Sequence, residues 1–321
     1  MKRISILIAL LLFVPGQVAF GQSYPNKPIR LVVPFPAGES VDVAARIIVQ
    51  HWQTALGQQI IVDNRGGAGG TIGTEIVAKA APDGYTISYG NLGPLSIGPN
   101  LYKKLGYDLF RDLAPVSQAT NLPMVLFASP SLPANSMAEL VAYAKSHPGV
   151  LNYASTGIGS GIHLMSELFK MTAGIDIVHV PSRGVAQVLP EIMAGKLHLA
   201  FYSIPGLLQH FKAGKLKALV ITASKRSPLM PEVPACTEVG LPELDVPVWH
   251  AVVAPAGTPQ EAVRKLQQTF AKTLALREVR EQLVGLGAEP VGSSPEEFGK
   301  FLRVESDRWA GVIKHANVKV E

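Results

Sequence analysis

Short apolar runs with the composition of β-strands alternate with amphipathic runs of helical period along most of the 321-residue chain. The first strand-like run, Ile29–Val33, is followed by a Pro/Gly loop and then by apolar residues spaced for one face of a helix at positions 41–56. Strands and helices that alternate in this way form a largely parallel sheet covered by helices. The sequence therefore predicts an α/β fold.

The length and composition predict two domains. Apolar residues make up 47% of the chain and charged residues 17%, and a chain of about 300 residues usually divides into two cores. A second copy of the strand, loop and helix pattern spans residues 123–222, and a proline-rich stretch then leads to a strand and two helices that begin near Thr258 and Ser294. We predict that residues 22–122 and 223–321 form domain I and that residues 123–222 form domain II.

The first 21 residues have the features of a secretory signal peptide. Lys2 and Arg3 precede an apolar run at residues 4–14, and small residues then allow cleavage after Gly21. This run is shorter than the roughly 20 residues of a membrane helix, and no later run reaches that length. A lipid-anchored protein needs a cysteine at the cleavage point, whereas the only cysteine here is Cys236. We expect an exported, soluble protein.

Motifs of several other protein classes are absent. The net charge of +5 is not gathered into Lys/Arg runs, which disfavours nucleic-acid binding. Ile158 stands where the hydrolase motif G-x-S-x-G needs a glycine before Ser160. The dinucleotide fingerprint lacks its third glycine at Ile162, and residues 66–73 lack the lysine of a phosphate loop. The histidines show no metal-ligand spacing. We predict no catalytic activity, no cofactor and no metal.

Three loops between a predicted strand and a predicted helix are expected to form a ligand site. Ligands of open α/β sheets bind beyond the carboxyl ends of the strands. Glycine-rich backbone and the N-terminus of a helix can hold an anion there without an arginine. The candidates in domain I are Phe35, Pro36, Ala37, Gly38, Ser40, Asp42, Gly70, Thr71, Ile72, Gly73 and, after the third strand, Asn91; those in domain II are Ser155, Thr156, Ser160 and His163.

These residues also have structural interpretations that the sequence leaves open. The glycines could only shape turns, and the Ser and Thr residues could only cap helices. Asp42 could cap a helix or orient bound water, and His163 could contact ligand or serve as a structural hydrogen-bond partner. Three such loops spread over two domains favour a cleft.

Along most of its mature length the sequence resembles the substrate-binding proteins of tripartite tricarboxylate transporters, also called Bug or TctC-type receptors. The resemblance rests on ordered motifs: the loops at 34–42 and 64–74, P-D-G-Y at 82–85, S-T-G-x-G-S-x-x-H at 155–163, K-R-S at 225–227 and P-A-G-T-P at 255–259. It implies a type II periplasmic binding protein fold, in which two α/β domains close like a Venus flytrap. It further implies a periplasmic receptor, expected to be a monomer, that delivers a small organic acid to integral membrane transporter subunits.

The chain departs from the family pattern at several positions. Glu39 stands where a second glycine is common, and Ser182 and Val185 replace the Tyr and Gly of a frequent turn. Tyr202 stands where many members have an aspartate that would suit an ammonium group, which favours a ligand without an amine, such as a dicarboxylate or an aromatic carboxylate. We include Ser182 and Tyr202 among the candidate binding residues, although Tyr202 could be a core aromatic. A signalling receptor and, less favoured, an exported α/β hydrolase remain the alternatives.

Overall fold

The structure is a computed structural model that describes residues 24–182 and 185–320. The predicted signal peptide, residues 1–21, lies outside the described residues. Within these ranges no helix combines the length and the apolar composition that a membrane crossing requires.

The strands of the described chain belong to two separate sheets. In chain order they are β1 (Ile29–Val33), β2 (Ile60–Asn64), β3 (Thr86–Asn91), β4 (Leu113–Leu122), β5 (Met124–Ala128), β6 (Asn152–Ser155), β7 (Val178–Pro181), β8 (Leu199–Ser203), β9 (Lys217–Ile221), β10 (Val248–Pro255) and β11 (Glu289–Pro290). The α-helices are α1 (Ser40–Leu56), α2 (Thr71–Ala78), α3 (Gly98–Leu101), α4 (Leu109–Asp112), α5 (Met137–Ser146), α6 (Gly161–Ala173), α7 (Val185–Met193), α8 (Leu208–Lys212), α9 (Gln260–Ala275), α10 (Arg277–Gly285) and α11 (Pro295–His315).

The first sheet has the strand order β11-β4-β10-β3-β1-β2. Its centre forms because β1 is an uninterrupted apolar run, and Ile29, Leu31, Val32 and Val33 are each at most 1% exposed. β1 pairs in parallel with β2 and β3, whereas β10 runs antiparallel to β3 and β4. The tail of the chain thus returns to the first sheet through β10 and β11.

Helices α1 and α9 cover the first sheet and contact each other through Trp52. The indole of Trp52 is fully buried, packs edge-on against Phe270 with a centroid distance of 4.7 Å, and donates a 3.0 Å hydrogen bond to the hydroxyl of Thr269. This pairing satisfies the one polar atom of the indole inside an otherwise apolar interface.

The second sheet has the order β7-β6-β8-β5-β9. β6 is parallel to β7 and β8, and β5 runs antiparallel to β8 and β9. Every residue of β5 is buried, as expected for a strand with helices on both faces.

The predicted α/β class is confirmed. Strands of the first sheet come from residues 29–122 and 248–290, and those of the second from residues 124–221. We call the bodies built on the two sheets the first and second domains. The boundaries given above, 22–122 with 223–321 and 123–222, stay a prediction.

Candidate ligand-binding cleft

A cavity of about 200 Å³ lies where loops of the two domains meet. The first domain lines it with Phe35, Gly69, Asn91, Leu92, Gly93, Ile97, Gly98, Leu101 and Tyr102, and the second domain lines it with Gly159, Ser160 and Gly161. Phe35 and Asn91 lie at the carboxyl ends of the parallel strands β1 and β3, and the second-domain residues follow β6. The cavity therefore lies at the strand ends where open α/β sheets bind ligands.

Three of the sequence-predicted residues, Phe35, Asn91 and Ser160, line this cavity. The other candidates do not line it: Pro36, Ala37, Gly38, Ser40, Asp42, Gly70, Thr71, Ile72, Gly73, Ser155, Thr156, His163, Ser182 and Tyr202. Several of them support the loops that do.

Asp42 supports the loop that carries Phe35. Its carboxylate is 2% exposed and accepts hydrogen bonds from the backbone N–H of Gly38 at 2.8 Å, from Arg46 at 2.9 Å and from Asn64 at 2.9 Å. Burial alone would raise the pKa of Asp42, but the hydrogen bonds from Arg46, Gly38 and Asn64 outweigh it and lower the pKa. The side chain amide of Asn64 also donates to the carbonyl of Phe35. The geometry thus favours the structural interpretation of Asp42.

The glycine-rich turn before α2 supports the same wall of the cavity. Gly70 has a φ of +92°, and a side-chain carbon there would lie 3.0 Å from the ring of Phe35 and 3.0 Å from Pro94. Glycine therefore allows Phe35 to pack close to this turn. The hydroxyl of Thr71 donates to a backbone carbonyl of the turn, and Ile72 is 50% exposed.

The segment at residues 92–102 forms most of the first-domain wall, and sequence reasoning did not single it out. It begins with a π-helical turn, Gly93–Ile97, and continues as α3. Asn91 anchors it because its side-chain oxygen accepts the backbone N–H of Gly93 at 2.9 Å. A signal for this turn was present in the sequence, where two Gly-Pro pairs, at 93–94 and 98–99, directly follow a strand.

The second domain contributes the start of α6. Ser160 is its N-cap, and the hydroxyl accepts the backbone N–H of His163 at 3.2 Å. The helix begins at Gly161, which itself lines the cavity, so the N-terminus of the helix lies beside the cavity. The partial positive charge of this 13-residue helix favours an anion there.

Two stacked histidines lie behind the second-domain loop. The ring centroids of His163 and His179 are 4.0 Å apart. Nδ1 of His163 accepts a hydrogen bond from the backbone N–H of Gly159 at 3.1 Å. Nε2 of His179 is 2.7 Å from the hydroxyl of Ser155. Burial lowers the pKa of both histidines, that of His179 to about 4. Both rings are therefore neutral at pH 7, and His163 acts as a structural hydrogen-bond partner of the loop.

Ser182 and Tyr202 lie outside the cavity lining. The backbone N–H of Ser182 donates to the carbonyl of Ser155 at 3.0 Å, which extends the β6–β7 pairing. Tyr202 lies on β8 opposite Val125 and packs against the apolar core of the second domain. This placement corresponds to the core-aromatic interpretation of Tyr202.

The lining contains no charged side chain. Its polar side chains are the amide of Asn91, the phenol of Tyr102 and the hydroxyl of Ser160, and no Asp, Glu, Lys, Arg or His is among the lining residues. Among residues 24–182 and 185–320, no group of three or more His, Cys, Asp or Glu side chains is arranged to hold a metal ion. The arrangement can hold an anion by backbone N–H groups and can cover an apolar ligand body.

Two α/β domains with a ligand-sized cavity between them define the class of the two-domain, type II periplasmic binding proteins. Within this class, the sequence model of the tripartite tricarboxylate transporter family receptor, TctC, matches residues 44–318. The whole chain is 36% identical to Protein BugT of Bordetella pertussis and covers 99% of that protein. The chain therefore belongs to the TctC family of receptors.

Solved structures of the same family share the fold. The periplasmic binding protein BugD is 33% identical with a TM-score of 0.75, and the match covers 93% of this chain and all of BugD. An R. palustris protein solved with adipate is 35% identical with a TM-score of 0.77, covering 92% of this chain and 99% of that one. MatC from Rhodopseudomonas palustris with bound malate is 34% identical with a TM-score of 0.74, and the match covers 90% of this chain and 100% of MatC. These relatives are solute-binding receptors.

Proposed function

We propose that this protein is a periplasmic receptor that captures a small organic carboxylate between its two domains, without turnover, and delivers it to a tripartite tricarboxylate-type membrane transporter. The observation that carries the proposal is the start of α6, which borders a cavity lined by residues of both domains. Adipate and malate, bound in two relatives, are acids of the size that such a cavity accepts.

The chemistry of the lining supports a carboxylate without an amine. A helix N-terminus and glycine backbone favour a negative group. An ammonium group would need a carboxylate partner, and none is among the lining residues. A dicarboxylate or an aromatic carboxylate therefore fits the proposal.

The lining also supports binding over catalysis. Ser160 is engaged as a helix cap, and no base or acid side chain lines the cavity beside it. Nucleophilic catalysis requires a base within hydrogen-bond reach of the nucleophile. The predicted export signal and the membership of the family support the periplasmic location and the transporter partner.

A charge placed at the helix start tests the carboxylate site. The mature protein is unfolded and refolded to remove bound ligand and is then titrated with mono-, di- and tricarboxylates in thermal-shift and calorimetric experiments. We expect at least one acid to raise the Tm, since a ligand at 100 times its Kd adds about 2.7 kcal/mol of stability. In Gly161→Asp the new carboxylate should repel the ligand and weaken binding at least about tenfold, while an acidic residue in the first turn stabilises the helix.

Gly161→Asn is the matched control, because it adds a side chain of the same size without the charge. The nearest side-chain atoms, those of Leu92, lie 4.0 Å from a Cβ at position 161, so both variants have room to fold. Unchanged affinity in Gly161→Asp would place the carboxylate elsewhere. No binding of any acid by the wild type, together with hydrolysis of a test ester, would favour the hydrolase alternative. Membrane proteins captured on ligand-loaded receptor distinguish a transporter from a signalling partner.

A further inference from the structure

Helix α11 is fixed to the first domain by buried contacts. The carboxylate of Glu305, which is 1% exposed, accepts a hydrogen bond at 2.9 Å from the indole N–H of Trp249 on β10. The indole N–H of Trp309, on α11 itself, donates to the same carboxylate at 3.2 Å. Phe298 and Phe301 of α11 pack edge-on against the ring of Trp249. Because a buried carboxylate needs such partners, these contacts determine where the helix lies on the first sheet.

The same helix anchors one wall of the cavity. The side-chain amide of Asn100 donates to the backbone carbonyl and to the hydroxyl of Ser306 on α11, at 3.1 Å each. Asn100 belongs to α3, where its neighbours Gly98 and Leu101 line the cavity. The position of Leu101 is therefore tied to α11.

The chain that follows α11 reaches the second domain. Asn317 has a φ of +49°, and the backbone N–H of Val318 donates to the carbonyl of Ile313 at 3.1 Å, which ends the helix and turns the chain. Val318 and Val320 are half-buried and pack against the main apolar cluster of the protein. A methyl of Val320 lies 3.3 Å from the place that a side-chain carbon would take at Gly159.

Val320 contacts the loop at residues 155–161 without lining the cavity. A methyl of Leu101 lies 2.5 Å from the same place at Gly159, so the loop meets two apolar side chains that α11 positions. An apolar contact between two domains stabilises the arrangement in which it forms, because it removes carbon from water only there. Val320 therefore favours the arrangement in which the loop lies against the first domain.

We propose that α11 and residues 316–320 form an interdomain latch, in which Val320 holds the loop at residues 155–161 against the first domain and so positions the start of α6 for ligand binding. The loop contains Ser160, the N-cap of α6, so a shift of the loop moves the helix start relative to the first-domain wall. Val320 is a positioning residue, since it acts through the loop. The part of this inference that concerns ligand affinity rests on the proposed function, whereas the latch itself can be tested without a ligand.

Hydrogen exchange of the ligand-free mature protein, followed by mass spectrometry, tests the latch. Val320→Ala removes two methyl groups, and Val304→Ala makes the same change on α11 at a position that is 57% exposed. We expect the amides of residues 155–161 to exchange at least about threefold faster in Val320→Ala and at the wild-type rate in Val304→Ala. Val320→Ile, which keeps both methyl groups, should behave like the wild type.

The amides of β5 are the internal control for the fold. They should exchange equally slowly in all variants, because every residue of that strand is buried. Wild-type exchange of residues 155–161 in Val320→Ala would overturn the latch.

Calorimetry with adipate and with benzoate tests the effect on binding. We expect Val320→Ala to weaken each acid that binds by about fivefold, and by the same factor for both, because Val320 does not line the cavity. Val320→Ile should restore the affinity, and Val304→Ala should not change it. Wild-type affinity in Val320→Ala would overturn the positioning role and leave the receptor function intact. If the wild type binds no acid, the proposed function fails, and hydrogen exchange of the free protein still decides whether the latch exists.

Discussion

Gly159 belongs to the loop at residues 155–161, which we call the ligand loop, and it lies close to Leu101 of the first domain. It has a φ of +77°, and a side-chain carbon there would lie 2.5 Å from a methyl of Leu101 and 3.3 Å from a methyl of Val320. Its backbone N–H donates a hydrogen bond to Nδ1 of His163. A side chain at this position would therefore hold the two domains apart in the arrangement seen here.

We predict that Gly159→Ala weakens ligand binding at least about tenfold, because the added carbon obstructs the contact with Leu101. Gly174→Ala is the matched control: its φ is +62°, but nothing lies within 4 Å of the added carbon. Both variants should lose about 1–2 kcal/mol of stability from the left-handed backbone, as measured by urea unfolding. Equal ligand affinity in the two variants, measured by calorimetry, would contradict a role for Gly159 in closure.

The stacked histidines predict a loss of stability in mild acid. A histidine in the unfolded chain binds a proton below about pH 6.5, whereas burial in the fold lowers the pKa of His163 and lowers that of His179 to about 4. Between these values the unfolded state binds more protons, so the free energy of unfolding decreases as the pH falls. Protonation of His163 also removes the acceptor of the Gly159 N–H, so ligand affinity should fall in the same range.

Thermal unfolding and calorimetry between pH 7.5 and pH 4 measure this effect. Glu167 opposes the lowering of both histidine pKa values, and Lys170 adds to it. We expect His179→Gln to reduce the pH dependence of the Tm, and His147→Gln, at an exposed position, to leave it unchanged. Some pH dependence of the Tm should remain in His179→Gln, because burial also lowers the pKa of His250, to about 3. A pH dependence of the Tm that is the same in His179→Gln as in the wild type would contradict the prediction.

At the scale of elements, two helix starts with similar sequence signals have different structures. The Ser294 hydroxyl accepts the backbone N–H of Glu297 at 3.1 Å, and the Glu297 carboxylate accepts the backbone N–H of Ser294 at 2.8 Å, which confirms the capping box of α11. Thr258, Pro259 and Glu261 are a similar signal at the start of α9 and predict that Thr258 caps that helix, but this prediction is wrong. The hydroxyl of Thr258 donates back to the carbonyl of Pro255, and Pro259 occupies the N-cap position of α9.

Ser294→Ala should lower the free energy of unfolding by about 1 kcal/mol, because the backbone N–H of Glu297 loses its hydrogen-bond acceptor. Ser294→Asp keeps an acceptor at the cap and should restore most of that loss. Ligand affinity should stay unchanged in both variants, because the start of α11 is far from the cavity. The helix has 21 residues, so its start lies about 30 Å from its other end. Val320, which lies near Gly159 of the ligand loop, follows that other end. Urea titrations with and without the ligand measure both stability and affinity. A change in ligand affinity in either variant would contradict the prediction that the start of α11 does not affect the cavity.

The sequence predicted those elements whose signals are local. β1 and β5 are continuous apolar runs, and the helix starts at Ser160 and Ser294 carry their own caps. β4 was not predicted, because it is rich in polar residues whose partners are distant in the chain. Ser117 donates to the carbonyl of Ser293, and Thr120 bonds to His250. Only the tertiary fold makes such a strand stable as an internal member of the sheet.

The cavity was predicted in position and only partly in composition. The glycine-rich loops identified the strand ends, and these ends do meet in space. Which loop residues face the cavity depends on how the two domains meet, and that relation is not encoded in any local pattern. Phe35 and Ser160 line the cavity, whereas Gly70 and Asp42 lie behind it and shape the loops.

At the scale of the whole molecule, the segments between β4 and β5 and between β9 and β10 connect the two domains. The chain passes directly from β4 to β5 through Pro123, and it returns to the first sheet at β10 after the segment that follows β9. The cavity has walls on both sides of this connection. A ligand that contacts both walls stabilises the closed arrangement by its extra contacts there, which is the hinge mechanism of two-domain receptors.

Closure of the two domains can be measured with spin labels, because the native cysteine should not react with them. Cys236 is fully buried, and burial raises the pKa of its thiol to about 11, so it should not compete with exposed cysteines for a spin label. Val304 on α11 of the first domain is 57% exposed, and Val150 in the second domain is 55% exposed. Val304→Cys and Val150→Cys together therefore place one label on each domain.

We predict that a saturating acid narrows the distance distribution between these two labels, measured by pulsed electron spin resonance, because the ligand selects one closed arrangement from several. Labels at Val304→Cys and Ile61→Cys, both in the first domain, are the control and should show no change. Gly161→Asp in the Val304/Val150 background should show the ligand-free distribution at the same acid concentration, because the added carboxylate excludes the ligand. A distribution that is identical with and without bound acid would mean that the domains are already closed in the free protein, and that binding energy is not used to move them.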